Sequence, residues 1–127
     1  MSMTSMSAVR FYCAAIGLTV GRRLVEDAVE LLGSSAPVYL LAREPGSRAA
    51  PGSGQRRSFD RHWTPVHLDF VVEDIATAVT RAVVAGARLE EAVTTHAWGR
   101  LALLADPFGH GFCFVEFIGR GYDELAS

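Results

Sequence analysis

One pattern occurs twice in this chain: a helical stretch, a glycine, then a run of strand-forming residues. The first copy runs Phe11–Gly17–Thr19 and the second Ala82–Gly86–Arg88. A glycine just past the last helical residue supplies the left-handed backbone that ends a helix and turns the chain back. Two copies within 127 residues point to an internal repeat of one supersecondary unit. Around the second copy, Val66–Val72 reads as a strand, and Asp74 as the N-cap of a helix with Ile75, Val79 and Val83 along one face. Arg88–Thr94, Arg100–Ala105 and Gly111–Ile118 then read as three strands, the last two separated by the turn Asp106-Pro107-Phe108-Gly109. That unit is βαβββ. Around the first copy, a helix over Thr4–Ile16, carrying Val9, Cys13 and Ile16 at helical spacing, precedes strands over Leu18–Leu24, Ala28–Leu32 and Pro37–Ala42. That unit is αβββ, because too few residues precede its helix for an opening strand. The predicted class is α+β, with two βαβββ modules of which the first lacks its opening strand.

Composition supports one ordinary globular domain over residues 1–127, with 50% hydrophobic and 20% charged residues. The expected parts are a first module over 4–42, a flexible basic loop over 43–61 and a second module over 62–119. The loop holds Arg43, Arg48, Arg56, Arg57 and Arg61 among glycines, prolines and serines. It reads either as a solvated loop or as a lid reaching toward an anionic ligand. A net charge of −2 gives no strong field for nucleic acid or an anionic membrane. No apolar run approaches the roughly 18 residues that span a bilayer. Met1–Ser7 lacks the basic and apolar segments of a signal peptide. Cys13 and Cys113 are too few for a disulfide scaffold and are expected to be buried and reduced. The expected location is the cytoplasm.

Three stretches carry a family resemblance. Arg10-Phe11-Tyr12-Cys13-Ala14-Ala15-Ile16-Gly17-Leu18 resembles the opening of vicinal oxygen chelate modules, and His67-Leu68-Asp69-Phe70-Val71-Val72-Glu73-Asp74 resembles the strand that opens their second module. Trp98-Gly99-Arg100 through Asp106-Pro107-Phe108-Gly109-His110-Gly111-Phe112 resembles their glycine-rich turn before the last strand. The chain is thus similar to the superfamily of glyoxalases, bleomycin-resistance proteins and extradiol dioxygenases. The resemblance implies a cup-shaped mixed sheet built from the two modules, a small ligand or a metal in the cup, and commonly a homodimer. One fold hosts lyases, dioxygenases, epimerases and metal-free binding proteins, so it does not assign a reaction.

Strand alternation sets His67, Asp69 and Val71 on one face of the second module's first strand. On its last strand, Phe112, Phe114 and Glu116 lie on one face and Cys113, Val115 and Phe117 on the other. The resemblance matches His67 and Glu116 to a metal-ligating histidine and glutamate, expected to look into one hollow. Imidazole and carboxylate suit one divalent ion of nickel, zinc, manganese or iron, and Glu116 can alternatively act as a general base. The ligand set is incomplete. The first module offers no carboxylate or histidine on Pro37–Ala42, Glu44 lies beyond it beside Pro45, and Glu30 on the preceding strand is an unaligned substitute. Three protein ligands are the usual minimum for a catalytic metal. The alternative reading has His67 hydrogen-bonded without metal and Glu116 paired with His67 or Arg100.

Tyr39, Asp69, Trp98, Arg100, Phe112 and Phe114 are further candidates to line the ligand site. His96 with Trp98, and His62 with Trp63, suit the rim, and His110 reads as a turn residue. A phosphate-binding glycine loop, a nucleophile elbow and paired Cys-x-x-Cys ligands are absent from the sequence. Two functions stay open: a metal-free protein that binds a small oxygenated or aromatic molecule, and a divalent-metal-dependent lyase or dioxygenase using His67 and Glu116. The missing opening strand leaves an unpaired sheet edge, so a homodimer or a strand shared between chains is expected.

Overall fold

A computed structural model describes residues 3–24, 28–62, 64 and 66–124. The chain forms two compact units, Met1–Asp60 and Arg61–Ser127. The first unit begins with helix α1 (Met3–Ile16), followed by strands β1 (Thr19–Leu24), β2 (Ala28–Leu32) and β3 (Val38–Leu41). These strands form an antiparallel meander in the order β1-β2-β3. The helix packs its apolar stripe on one face of the meander: Val9, Leu18, Val29 and Leu31 are buried together, with Tyr12, Cys13, Ile16, Val38 and Leu40 against them. Gly17 takes φ 83°, and its N–H donates to the Cys13 carbonyl at 3.0 Å, closing the helix as its position predicts. The αβββ order expected of this half is the order observed.

The stretch over 43–60 contains no named helix or strand, but it folds back on itself. Arg48 bridges Arg56, and the Ala49 and Arg57 N–H groups donate to the Gln55 and Ser47 carbonyls at 3.0 and 2.8 Å. Its arginines spend their donors locally: Arg57 reaches the Arg48 and Ala49 carbonyls, and Arg56 reaches the Gly46 carbonyl. The lid reading, with these guanidinium groups turned to an anion, gains no support from that arrangement.

The second unit contains β4 (Leu68–Val71), α2 (Ile75–Ala85), β5 (Arg88–His96), β6 (Gly99–Ala105) and β7 (Gly111–Phe117), with a short 3-10 turn over Gly121–Glu124. The sheet order is β4-β7-β6-β5; β4 runs parallel to β7, and the other pairs are antiparallel. This is the βαβββ unit read from the sequence. Asp74 caps α2, its carboxylate accepting the Thr77 N–H at 3.2 Å, and Gly86 at φ 120° ends it. The buried face of α2 differs from the expected Ile75–Val79–Val83 line. Ile75 and Ala82 are buried, while Val83 is 45% exposed. Ala82 has no bulk beyond its Cβ, so the helix turns that side to the sheet and comes close.

Candidate functional site

Strand register assigns the two faces of the second sheet. Leu68 and Phe70 pair with Phe112 and Phe114, and Asp69 and Val71 pair with Cys113 and Val115. Paired residues project to the same side. The Phe70, Phe112 and Phe114 side share its face with Ala102 and Leu104, and Glu116 on that face accepts the N–H of Ile75, the first residue of α2, at 3.1 Å. It is therefore the helix-covered face. Phe112 and Phe114 are 2% and 1% exposed and meet edge to face with centroids 5.5 Å apart. They form core, which corrects the expectation that they line a ligand site.

The opposite face carries the ionisable cluster. Just before β4, the His67 Nε2 lies 3.2 Å from the Cys113 Sγ and 3.7 Å from the Asp69 Oδ1. The three donor atoms all lie within 4.8 Å of one another. His67 and Asp69 are partly exposed, and Cys113 is buried behind them. Burial pushes the Cys113 thiol up to about 11, and the neighbouring Asp69 and Glu91 carboxylates push the same way. Such a thiol is a poor nucleophile. The geometry is also wrong for a Cys–His–Asp relay. A relay uses the two imidazole nitrogens separately, whereas here one nitrogen faces both partners. Three donors converge on a common space instead.

Glu116 is not among them. Cys113 and Glu116 lie three residues apart on the same regular strand, so they project from opposite faces. The expected hollow shared by His67 and Glu116 is corrected on this point. Glu116 accepts from the Arg100 Nη1 at 2.8 Å, its side chain 14% exposed against 45% for Arg100. The pairing with Arg100, one of the alternatives the sequence left open, is the arrangement found, and both residues are occupied by it. Trp98 stacks parallel to His96, with centroids 5.1 Å apart, in the β5–β6 turn. Trp63 lies outside the described residues. His110 sits in the turn before β7, its N–H donating to the Asp106 carboxylate.

Tyr39 belongs to the first unit, on the sheet face away from α1. Its hydroxyl donates to the Glu30 Oε2 at 3.0 Å. Glu30 is 6% exposed and also accepts from the Arg22 Nε at 3.1 Å and Nη2 at 2.8 Å. The Arg22 guanidinium, with its backbone N–H and the Tyr39 hydroxyl adding to it against desolvation, holds this carboxyl at about 2, below the ordinary 4.5. A depressed carboxyl stabilises the folded chain fully above the unfolded value and loses that contribution as pH falls toward the folded one. Thermal melts should show a steady fall between pH 4.5 and about 2 from this group. Glu30→Gln should melt lower at neutral pH and fall less steeply over that window. An unaltered slope would place the acid sensitivity elsewhere.

The sequence reading missed Cys113 as a site residue and Arg61 as a structural one. Arg61 makes a two-pronged pair with Glu90, at 2.8 and 2.7 Å, both side chains 17% exposed. The signal for Cys113 was its parity, opposite to Phe112 and Phe114 on a strand with an apolar core side. No local pattern signals Arg61.

The described residues contain no helix long and apolar enough to cross a membrane. No curated protein matches the sequence. The fold is similar to a glyoxalase/bleomycin resistance protein/dioxygenase family enzyme from Burkholderia phytofirmans, at TM-score 0.67 and 20% identity over 92% of this chain and 91% of that one. It is similar to a hypothetical protein from S. aureus, at TM-score 0.69 and 19% identity over 87% and 84%. It also resembles a lactoylglutathione lyase from Agrobacterium tumefaciens, at TM-score 0.58 and 21% identity over 87% and 84%. The family model of the glyoxalase-like domain matches residues 4–115, nearly the whole chain. On that match, and with a βαβββ unit and its meander counterpart in place, this chain belongs to the glyoxalase-like domain family of the vicinal oxygen chelate superfamily.

Proposed function

We propose that the second sheet binds a small oxygenated molecule at a divalent-metal site formed by His67, Asp69 and Cys113, on the face opposite α2 and at the partly exposed end of β4. The observation that carries this reading is the convergence of three donors of different type within 4.8 Å. The spacing fits such a role. A tetrahedral site with bonds of about 2.0–2.3 Å has donor–donor edges of about 3.3–3.8 Å; two of the three separations are 3.2 and 3.7 Å, and the third is within 4.8 Å. When bound, a divalent ion would supply Lewis acidity toward a carbonyl or hydroxyl oxygen, the need shared by lyases and dioxygenases. His67 and Asp69, being partly exposed, leave a ligand room to approach. Val71 and Phe117, both exposed and on the same face by strand parity, suit its carbon skeleton. Glu116 is assigned to the Arg100 pair and takes no part. A working free thiol at Cys113 suits a reducing compartment, in keeping with the cytoplasm.

We further propose that the protein is a homodimer. Strand β4 is at the edge of its sheet; Leu68 and Val71 on it are 56% and 63% exposed, and Val66 just before it is 78% exposed. An edge strand with exposed apolar side chains of this kind suits a partner.

One set of preparations tests both ideas. Protein purified under reducing conditions without chelator should carry about one metal ion per chain. His67→Ala and Asp69→Ala should lose it, and Glu116→Gln should keep it. Metal-free parent protein that gains nothing from added zinc, nickel, manganese or iron would leave a metal-free binding protein as the surviving reading. Light scattering that returns the 13.7 kDa of a single chain would end the dimer.

A further inference from the structure

We propose that Cys113 sets the metal preference of this site, supplying a thiolate that selects thiophilic divalent ions, zinc, cadmium and cobalt, over magnesium, calcium and manganese. The inference rests on the metal-site reading above and adds the identity of the ion class. The three donors are one nitrogen, one oxygen and one sulfur. Magnesium and calcium favour sites made wholly of oxygen, and manganese favours oxygen-rich sites. A sulfur donor shifts the balance toward softer ions.

The position of the sulfur makes it a fixed donor. Cys113 lies on β7, an interior strand held by β4 on one side and β6 on the other, and it pairs with Asp69 and Leu103 across those two neighbours. Its side chain is buried, 8% exposed, so a cation there meets a sulfur already stripped of water. His67 and Asp69 sit above it, at one end of the edge strand. Glu91 pairs with Leu103 on β5, in the same row and on the same face as Cys113, and adds negative charge on the approach side. The second cysteine, Cys13, belongs to α1 in the other unit and packs against the core there.

The step is a simple exchange. The Cys113 S–H bond breaks, its proton passes to the buffer, and the sulfur lone pair bonds the cation; no electron changes hands. Binding should therefore release a proton that calorimetry in two buffers can count.

The test is titration of the reduced, chelator-free full chain with cadmium, cobalt, zinc, manganese and magnesium, following thiolate-to-metal charge-transfer absorbance and proton release. Wild type and Cys13→Ser should both give the absorbance band with cadmium and cobalt. Cys113→Ser should lose it and bind cadmium at least ~100-fold more weakly. Cys113→Glu should reverse the order and favour manganese. Circular dichroism checks that each variant is folded; if Cys113→Ser is not, the band in wild type and its persistence in Cys13→Ser decide. Binding of manganese or magnesium as tight as cadmium, with no band, would overturn the thiolate preference and leave the metal site standing. A band lost in Cys13→Ser would overturn it as well. Failure of every ion to bind would remove both the preference and the site.

Discussion

Phe114→Ala is expected to lower the free energy of unfolding by about 3–5 kcal/mol, the usual cost of deleting a buried phenyl ring. Phe114 is 1% exposed and contacts two other rings, Phe112 at 5.5 Å and Phe70 at 6.5 Å between centroids. These rings come from β4 and β7, the parallel pair that shares the register Phe70↔Phe114. Neighbours fixed in two strands cannot close over the vacancy, so transfer and cavity costs both apply. Urea unfolding followed by far-ultraviolet circular dichroism measures the change. Phe117→Ala is the contrast, because Phe117 is 39% exposed and should cost far less. Equal losses in the two variants would contradict the difference in burial between the two rings.

Asp106→Ala should cost about 1–3 kcal/mol, because two backbone donors lose a shared acceptor in a part-buried turn. Asp106 is 6% exposed, and its Oδ1 accepts the N–H groups of Phe108 and His110 at 2.8 and 2.9 Å. Its own N–H donates to the His110 carbonyl at 2.8 Å, and Gly109 takes φ 90° to complete the turn. The carboxylate thus holds β6 and β7 in register at the end where Gly111 begins β7. Asp106→Asn retains an amide oxygen in the same place and should recover most of the loss. An asparagine variant as unstable as the alanine one would mean that the negative charge, rather than the acceptor, is what the turn needs.

Much of this architecture was legible because local chemistry and packing agree. Asp74 and Gly86 bracket α2 as their residue types require, and the aspartate-proline turn separates β6 from β7. The repeated helix-glycine-strand pattern announces both units. The buried face of α2 was less legible. Val83 satisfies helical spacing as well as Ala82 does, and only the closeness of the sheet selects the smaller residue. The site was half legible. His67 and Asp69 stand out because polar groups alternate with apolar ones on a short strand. Glu116 stood out for its charge, but a carboxylate can serve a neighbouring arginine and a helix start as readily as a ligand. Cys113 was hidden because a cysteine among Phe112, Phe114 and Val115 reads as packing. Its parity was visible, yet parity becomes informative only when the parallel register with Asp69 is known. That register links residues far apart in the chain and has no local signature.

The parallel pairing of β4 with β7 also dictates an order of assembly. On the ribosome, β4 emerges first of the second sheet's strands, and its neighbour β7 follows only after α2, β5 and β6. His67 meets Cys113 across a separation of 46 residues, so closing that loop is among the costliest steps in the second unit and waits on its last strand. A nascent chain that has not yet made β7 would hold the histidine and aspartate without the sulfur, so the proposed cation site could not form before that strand is in place.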